Sequence, residues 1–110
     1  MTITLKNDVF DVHKLCEGSY ELRDILHDRP SWINHEKEQA IWYDGKKWKI
    51  GNAENLGTFS GNISSAFENE YPDPTNVPRD KWSYYISSWK KAGRNDVSIE
   101  GKGKMAFNQS

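Results

Sequence analysis

A-I-W-Y-D-G-K-K-W-K-I-G, residues 40–51, is the stretch that decides the fold. Two aromatic-rich runs meet at Asp44-Gly45, a dipeptide suited to the positive φ angles of a tight hairpin loop. Aromatic and β-branched side chains fit a pleated surface, so the segment reads as two antiparallel strands. A two-residue type I′ loop pairs Tyr43 with Lys46, Ile41 with Trp48 and Gln39 with Ile50, and puts Ile41, Tyr43, Trp48 and Ile50 on the core face. Trp42 then points outward between Lys47 and Lys49, an exposed indole flanked by ammonium groups. A three-residue loop with a bulge at Gly45 instead pairs Trp42 with Lys46 and Ala40 with Trp48, which turns Trp42 inward and Tyr43 outward.

The same logic extends to both sides. Thr2 to Leu5 and Val9 to Val12 read as short β-prone bursts, Leu15 to Ser19 as a turn, and Tyr20 to Leu26 as a strand. Leu22, Ile25 and Leu26 also sit at helical spacing, which leaves a helix over Tyr20 to His27 open. Pro30 breaks the run at His27-Asp28-Arg29-Pro30, and Ser31 to His35 forms the next strand. Gly51 to Gly61 is a loop or irregular strand. Ser65-Ala66-Phe67-Glu68 has capping-box spacing and predicts one short helical turn. The proline-bearing segment from Tyr71 through Arg79 is extended loop. Trp82 to Trp89, W-S-Y-Y-I-S-S-W, is a strand with Trp82, Tyr84 and Ile86 toward the core, and Tyr85 and Trp89 on the other face. Val97 to Glu100 adds an edge strand. The expected fold is all-β, a small antiparallel sandwich or partly open barrel with one short helical turn. Residues 1–100 form a single domain in this reading, and 101–110 a mobile tail.

With 110 residues there is room for one modest core, burying roughly 60 to 68% of the unfolded surface. Only 35% of the residues are apolar, so five Trp, five Tyr and four Phe must supply much of the buried area. Positive and negative charges nearly cancel at 15 against 16, which argues against bulk attraction to nucleic acid or an anionic membrane. The distribution is uneven. Residues 1–80 hold nine Lys/Arg against fourteen Asp/Glu, and residues 81–110 hold six against two, so the C-terminal part suits an acidic partner or the acidic body of its own domain. M-T-I-T-L-K-N-D lacks the apolar stretch of a signal peptide, no later stretch approaches a membrane span, and Cys16 is the only cysteine. A cytoplasmic or otherwise intracellular protein without membrane insertion or an intrachain disulfide is expected. Glycosylation is not expected at Asn62 or Asn108, although both head acceptor tripeptides.

The chemistry-bearing residues do not assemble into a recognisable catalytic set. His13, His27 and His35 lack zinc-ligand spacing, so neither a metal nor another cofactor is expected. Neighbours on a strand point to opposite faces, so His27-Asp28 and His35-Glu36 read as solvated surface rather than dyads. Cys16 reads as a quiet thiol rather than a nucleophile. Glu36/Glu38 and Glu68/Glu70 would each share a strand face and read as solvated edges. Lys90, Lys91, Arg94, Lys102 and Lys104 lie near Trp82, Tyr84, Tyr85 and Trp89 in sequence, the combination used to bind single-stranded nucleic acid, though the neutral balance disfavours that partner.

Gly18-x-Tyr20, Arg29-Pro30-x-Trp32, Ile41-Trp42-Tyr43, Trp48-x-Ile50-Gly51, Tyr71-Pro72 and Trp82-x-Tyr84 occur in an order that resembles a small aromatic-rich β module of eukaryotic multidomain proteins. The resemblance covers about residues 17–85, and its pattern runs G-x-Y, R-P-x-Y, L-Y-Y, W-x-I-G, C-P, W. It implies a compact β scaffold used for recognition or packing, without catalytic residues. Trp32 stands where the pattern has Tyr, Tyr71 where it has Cys, and the basic C-terminal extension lies outside it. The functional expectation is a monomeric, non-catalytic module. It binds a protein segment, or less readily a glycan held beside Asn34, Asn52 or Asn55, through Trp42, Lys47, Lys49, Tyr85 and Trp89. Strand addition along Val97 to Glu100 is one route for a peptide. Single-stranded nucleic-acid binding and a small hydrolase or transferase are the alternatives.

Overall fold

In the structure, a computed structural model, residues 1–66 and 71–101 are described. The protein is all-β, two antiparallel sheets packed as an open sandwich. Seven strands run as a meander in which each pairs with the next: β3 (Glu21–Leu26), β4 (Arg29–Asn34), β5 (Gln39–Tyr43), β6 (Trp48–Asn52), β7 (Ile63–Ser65), β8 (Trp82–Tyr85) and β9 (Trp89–Lys91). The two chain ends make the second sheet, with β1 (Thr2–Leu5) between β10 (Val97–Glu100) and β2 (Gly18–Ser19). Ile3, Leu5 and Val97 of this small sheet share one core cluster with Trp32, Ile41, Trp48, Ile50, Ile63 and Trp82 of the large one. Tyr20 to Leu26 is thus extended rather than helical.

The central hairpin has a longer loop than either register expected. Tyr43 faces Trp48, Trp42 faces Lys49 and Ile41 faces Ile50, so Asp44 to Lys47 form a four-residue loop. The Asp44 carboxylate closes it. Oδ1 accepts the backbone N–H of Lys46 and of Lys47, each at 2.8 Å, and the Asp44 N–H donates to the Lys47 carbonyl at 2.9 Å. Lengthening the two-residue loop by two positions keeps strand parity, so Ile41, Tyr43, Trp48 and Ile50 still share the core face. The tight two-residue loop lies one hairpin earlier. His27 and Asp28, at φ +51° and +65°, join Leu26 to its partner Arg29. Pro30 therefore stands within β4 rather than ending a run, beside an irregularity between Leu22 and Ile25 that offsets the register.

Four other local expectations are corrected. Val9 to Val12 belong to a helix, α1 (Asn7–His13), continued by a 3-10 turn at Lys14–Cys16. Asn7 takes φ +58° and its carboxamide donates to Asp96 Oδ1 at 2.7 Å, and Lys6 N–H donates to the Asp96 carbonyl. The chain thereby leaves β1 abruptly, and Val9 and Cys16, two helical turns apart, enter the core. Trp82 to Trp89 is a hairpin instead of one strand, because Ile86-Ser87-Ser88 forms a loop in which Ile86 N–H donates to the Ser88 carbonyl. Trp82 and Tyr84 are core as expected, whereas Ile86 sits on the loop, 43% exposed. Glu36 and Glu38 lie in the turn between β4 and β5, so they do not share a strand face. The helical turn expected at Ser65-Ala66-Phe67-Glu68 is β7 at Ser65, and its last two residues lie outside the described residues, as do Glu68/Glu70 and the tail beyond Gly101.

Candidate functional site

β5 is buried along its whole length, which a strand with one solvated face would not be. Its inner face holds Ile41 and Tyr43, its outer face Ala40 and Trp42. After β6 the chain makes a 3-10 turn at Ala53–Asn55, and the segment through Gly61 folds back over the outer face. Trp42 Nε1 donates to the Thr58 carbonyl at 2.7 Å. Two glycines make the fit possible. A Cβ on Gly51 would stand 3.0 Å from the Asn62 nitrogen and 3.2 Å from the Gly61 Cα, and one on Gly61 would stand 2.9 Å from the Lys49 Cβ. The expected exposed indole is therefore corrected: Trp42 is 0% exposed, on the predicted face but roofed by this loop.

Lys49, the residue opposite Trp42, is also buried rather than a surface cation. Its ammonium donates to Ser64 Oγ at 3.0 Å, lies 3.7 Å from Asp44 Oδ2, and sits 5.2 Å from the centre of the Trp89 ring. Burial lowers its pKa from the ordinary ammonium value, with Asp44 opposing that shift. Lys47, half-buried, stands on the hairpin loop.

Beyond the roof the outer face opens at the β8–β9 hairpin. Four of the five tryptophans are fully buried, and Trp89 is the exception at 46% exposure. Its cross-strand partner Tyr85 is 43% exposed, and the rings meet edge to face with centroids 5.5 Å apart. The structure thus brings together Tyr85, Trp89 and Lys49 of the five expected site residues, with Lys49 underneath as a support. Lys90 and Lys91 follow on β9, whose three residues are all exposed. At the far side His13 Nε2 lies 2.6 Å from the Tyr85 carbonyl oxygen, tying α1 to the end of β8.

The other residues weighed for chemistry have structural partners. Cys16 is buried with its thiol 3.3 Å from Gln39 Oε1, and burial pushes its pKa up to about 12, far from the thiolate a nucleophile needs. Tyr20 donates to the Cys16 carbonyl, and burial raises its pKa as well. His35 pairs with Glu21 at 3.1 Å on an exposed surface. His27 Nε2 lies 3.0 Å from the Gly57 carbonyl, where the β3–β4 turn meets the roofing segment. Among the described residues no group of three or more His, Cys, Asp and Glu is placed to hold a metal, and no helix is long and apolar enough to cross a membrane. A groove of about 630 Å³ at the β4–β5 turn is lined by Leu15, Ile33, His35, Glu38 and Glu54. Asn34 and Asn52 serve this end of the sheet: Asn34 Oδ1 accepts the Lys37 N–H five strands from Trp89, and Asn52 Oδ1 accepts from Gln39 three strands from it.

Comparison with family models, with curated proteins and with solved structures gives no match. The likeness to the aromatic-rich β module therefore rests on motif order alone.

Proposed function

We propose that this protein is a non-catalytic recognition module that holds a segment of a protein partner against Tyr85 and Trp89. One observation carries the reading: four tryptophans are sealed inside while the fifth is held open beside an exposed tyrosine, on a hairpin at the edge of the sheet. Aromatic side chains so placed offer a large, rigid contact area at low entropic cost. The T-shaped contact gives no parallel ring faces for successive bases, which favours a protein over single-stranded nucleic acid. Of the carboxamides expected to hold a glycan, Asn34 and Asn52 serve the β4–β5 end of the sheet and Asn55 lies in the 3-10 turn after β6, whereas Asn62 is paired with Tyr85.

The test is a display library of unstructured peptides selected on the native protein and counter-selected on Trp89→Ala. Enriched peptides whose affinity falls at least about tenfold on Trp89→Ala are expected, the loss of one interfacial anchor. Peptides that bind the variant equally well, or tight salt-sensitive binding of a single-stranded oligonucleotide that quenches Trp89, would overturn the proposal.

A further inference from the structure

The large sheet ends in two edges of different character. β3 carries the register irregularity between Leu22 and Ile25, with Asp24 Oδ1 accepting the Ile25 N–H and the Asp24 carbonyl accepting from Ser31, a device that bends an edge away from further pairing. β9 is regular. In the small sheet, the Val97 to Glu100 edge expected to take a peptide is largely buried or half-buried and has the 3-10 turn at Pro74–Asn76 packed against it. Among the described residues, the open edge of the large sheet is β9.

Its backbone is set for pairing. Ala92 N–H donates to the Trp82 carbonyl and Ile86 N–H to the Ser88 carbonyl, which fixes the phase of the β8–β9 ladder. Positions 82/92, 84/90 and 86/88 are the hydrogen-bonded pairs, and 83/91 and 85/89 the non-bonded ones. The N–H and C=O of Lys90 therefore face β8, while those of Trp89 and Lys91 face away from the sheet. Among the described residues these four outward groups have no hydrogen-bond partner. Trp89 and Lys91 place their side chains on the outer face and Lys90 on the other, and neither lysine makes an ion pair among the described residues.

Resting on the recognition reading above, we infer that the partner segment is acidic and extended and adds to β9 as an eighth strand. Its backbone pairs with the outward N–H and C=O of Trp89 and Lys91, one apolar side chain lies against the open side of the Trp89 ring, and its carboxylates face Lys90 and Lys91. Like charges on identical edges oppose a second copy of the chain, so the lysines that guard the edge against self-pairing also select an acidic strand.

The probe is a blocked nine-residue Glu peptide with a single central Val to oppose Trp89 (the Glu/Val peptide), with Lys in place of every Glu in its charge-reversed counterpart (the Lys/Val peptide), and the readout is amide exchange by NMR. The Glu/Val peptide slows exchange of the Trp89 and Lys91 amides by at least about tenfold while the Lys90 amide, already in the ladder, changes little. Its affinity falls as salt rises, and K90E/K91E, both positions exposed, reverses the preference toward the Lys/Val peptide. Equal binding of the two peptides overturns the charge selection. Movement of the Trp89 indole resonance without amide protection overturns strand addition and leaves the recognition reading standing. No response at either position also overturns strand addition, and the library selection then decides the recognition reading by itself. Protection that grows with protein concentration without peptide assigns the edge to a second copy and overturns the inference.

Discussion

Trp42→Ala separates the roofed indole from the open one expected from the hairpin. The side chain is fully buried and its N–H is bonded to the Thr58 carbonyl. A buried indole removes about 200 Å² from water, worth about 5 kcal/mol at 25 cal/mol/Å². Two effects trim this figure. Thr58 is exposed, so water replaces the lost donor, and the segment above the ring can settle into part of the space. The expected loss is therefore about 3 to 5 kcal/mol. With a urea m-value near 2 kcal/mol/M, that lowers the unfolding midpoint by about 1.5 to 2.5 M, followed by far-UV circular dichroism at unchanged m. Trp42→Phe keeps most of the ring and should cost clearly less. A loss below about 1 kcal/mol for Trp42→Ala would mean that the ring is solvated, and would refute the roof.

In the same assay Trp89→Ala should cost about 2 kcal/mol, since about half of the side chain already meets water while the rest covers Lys49 and Tyr85; a loss as large as that of Trp42→Ala would make it packing rather than a contact surface. Gly51→Ala should destabilise by more than about 1 kcal/mol, because its Cβ meets backbone atoms of Gly61 and Asn62 that cannot rotate aside, and an unchanged thermal midpoint would contradict the close approach. Cys16 should react with an aromatic disulfide reagent slowly in the native protein and rapidly in urea. Its folded pKa of about 12 lies above the ordinary value of 9.0, so the associated stability is fully present below pH 9 and lost as pH climbs from 9 toward 12. The slope is at most about 1.4 kcal/mol per pH unit, and Cys16→Ser should flatten it; an unaltered slope would locate the alkaline loss elsewhere, Tyr20 being next in line.

Sheet membership was legible because it follows from side-chain pattern and turn chemistry over a few residues. Ala40 to Gly51 read as a hairpin, and the parity of Ile41, Tyr43, Trp48 and Ile50 survived a loop two residues longer than expected. Loop length itself depended on Asp44 reaching two backbone N–H groups, a side-chain closure that Asp-Gly alone does not announce. α1 was missed because V-F-D-V is β-prone locally, and the tie from Asn7 to Asp96, 89 positions along the chain, turns it into a helix. Two signals for the buried outer face were present in the sequence. A-I-W-Y is a continuous apolar run, as strands buried on both faces are, and Gly51, Gly57 and Gly61 punctuate the segment that roofs it.

The candidate site moved three strands along the sheet, from the β5–β6 hairpin to the β8–β9 hairpin, for the same reason. Lys49 was expected to flank an exposed Trp42, and it does stand opposite that residue, but its stem passes under Gly61 and its ammonium emerges beneath Trp89. It thereby joins the sealed half of the outer face to the open half. A buried ammonium is costly unless it is compensated, and here Ser64, Asp44 and the Trp89 ring compensate it together. The Trp89 ring is consequently committed in part to Lys49 and in part to Tyr85. What remains of the half-exposed ring can meet a ligand, and the same residue belongs to the edge strand β9. The orientation of the open aromatic thus depends on the most deeply held cation of the sheet, and a contact made by the ring and a strand added to the edge are two parts of one surface.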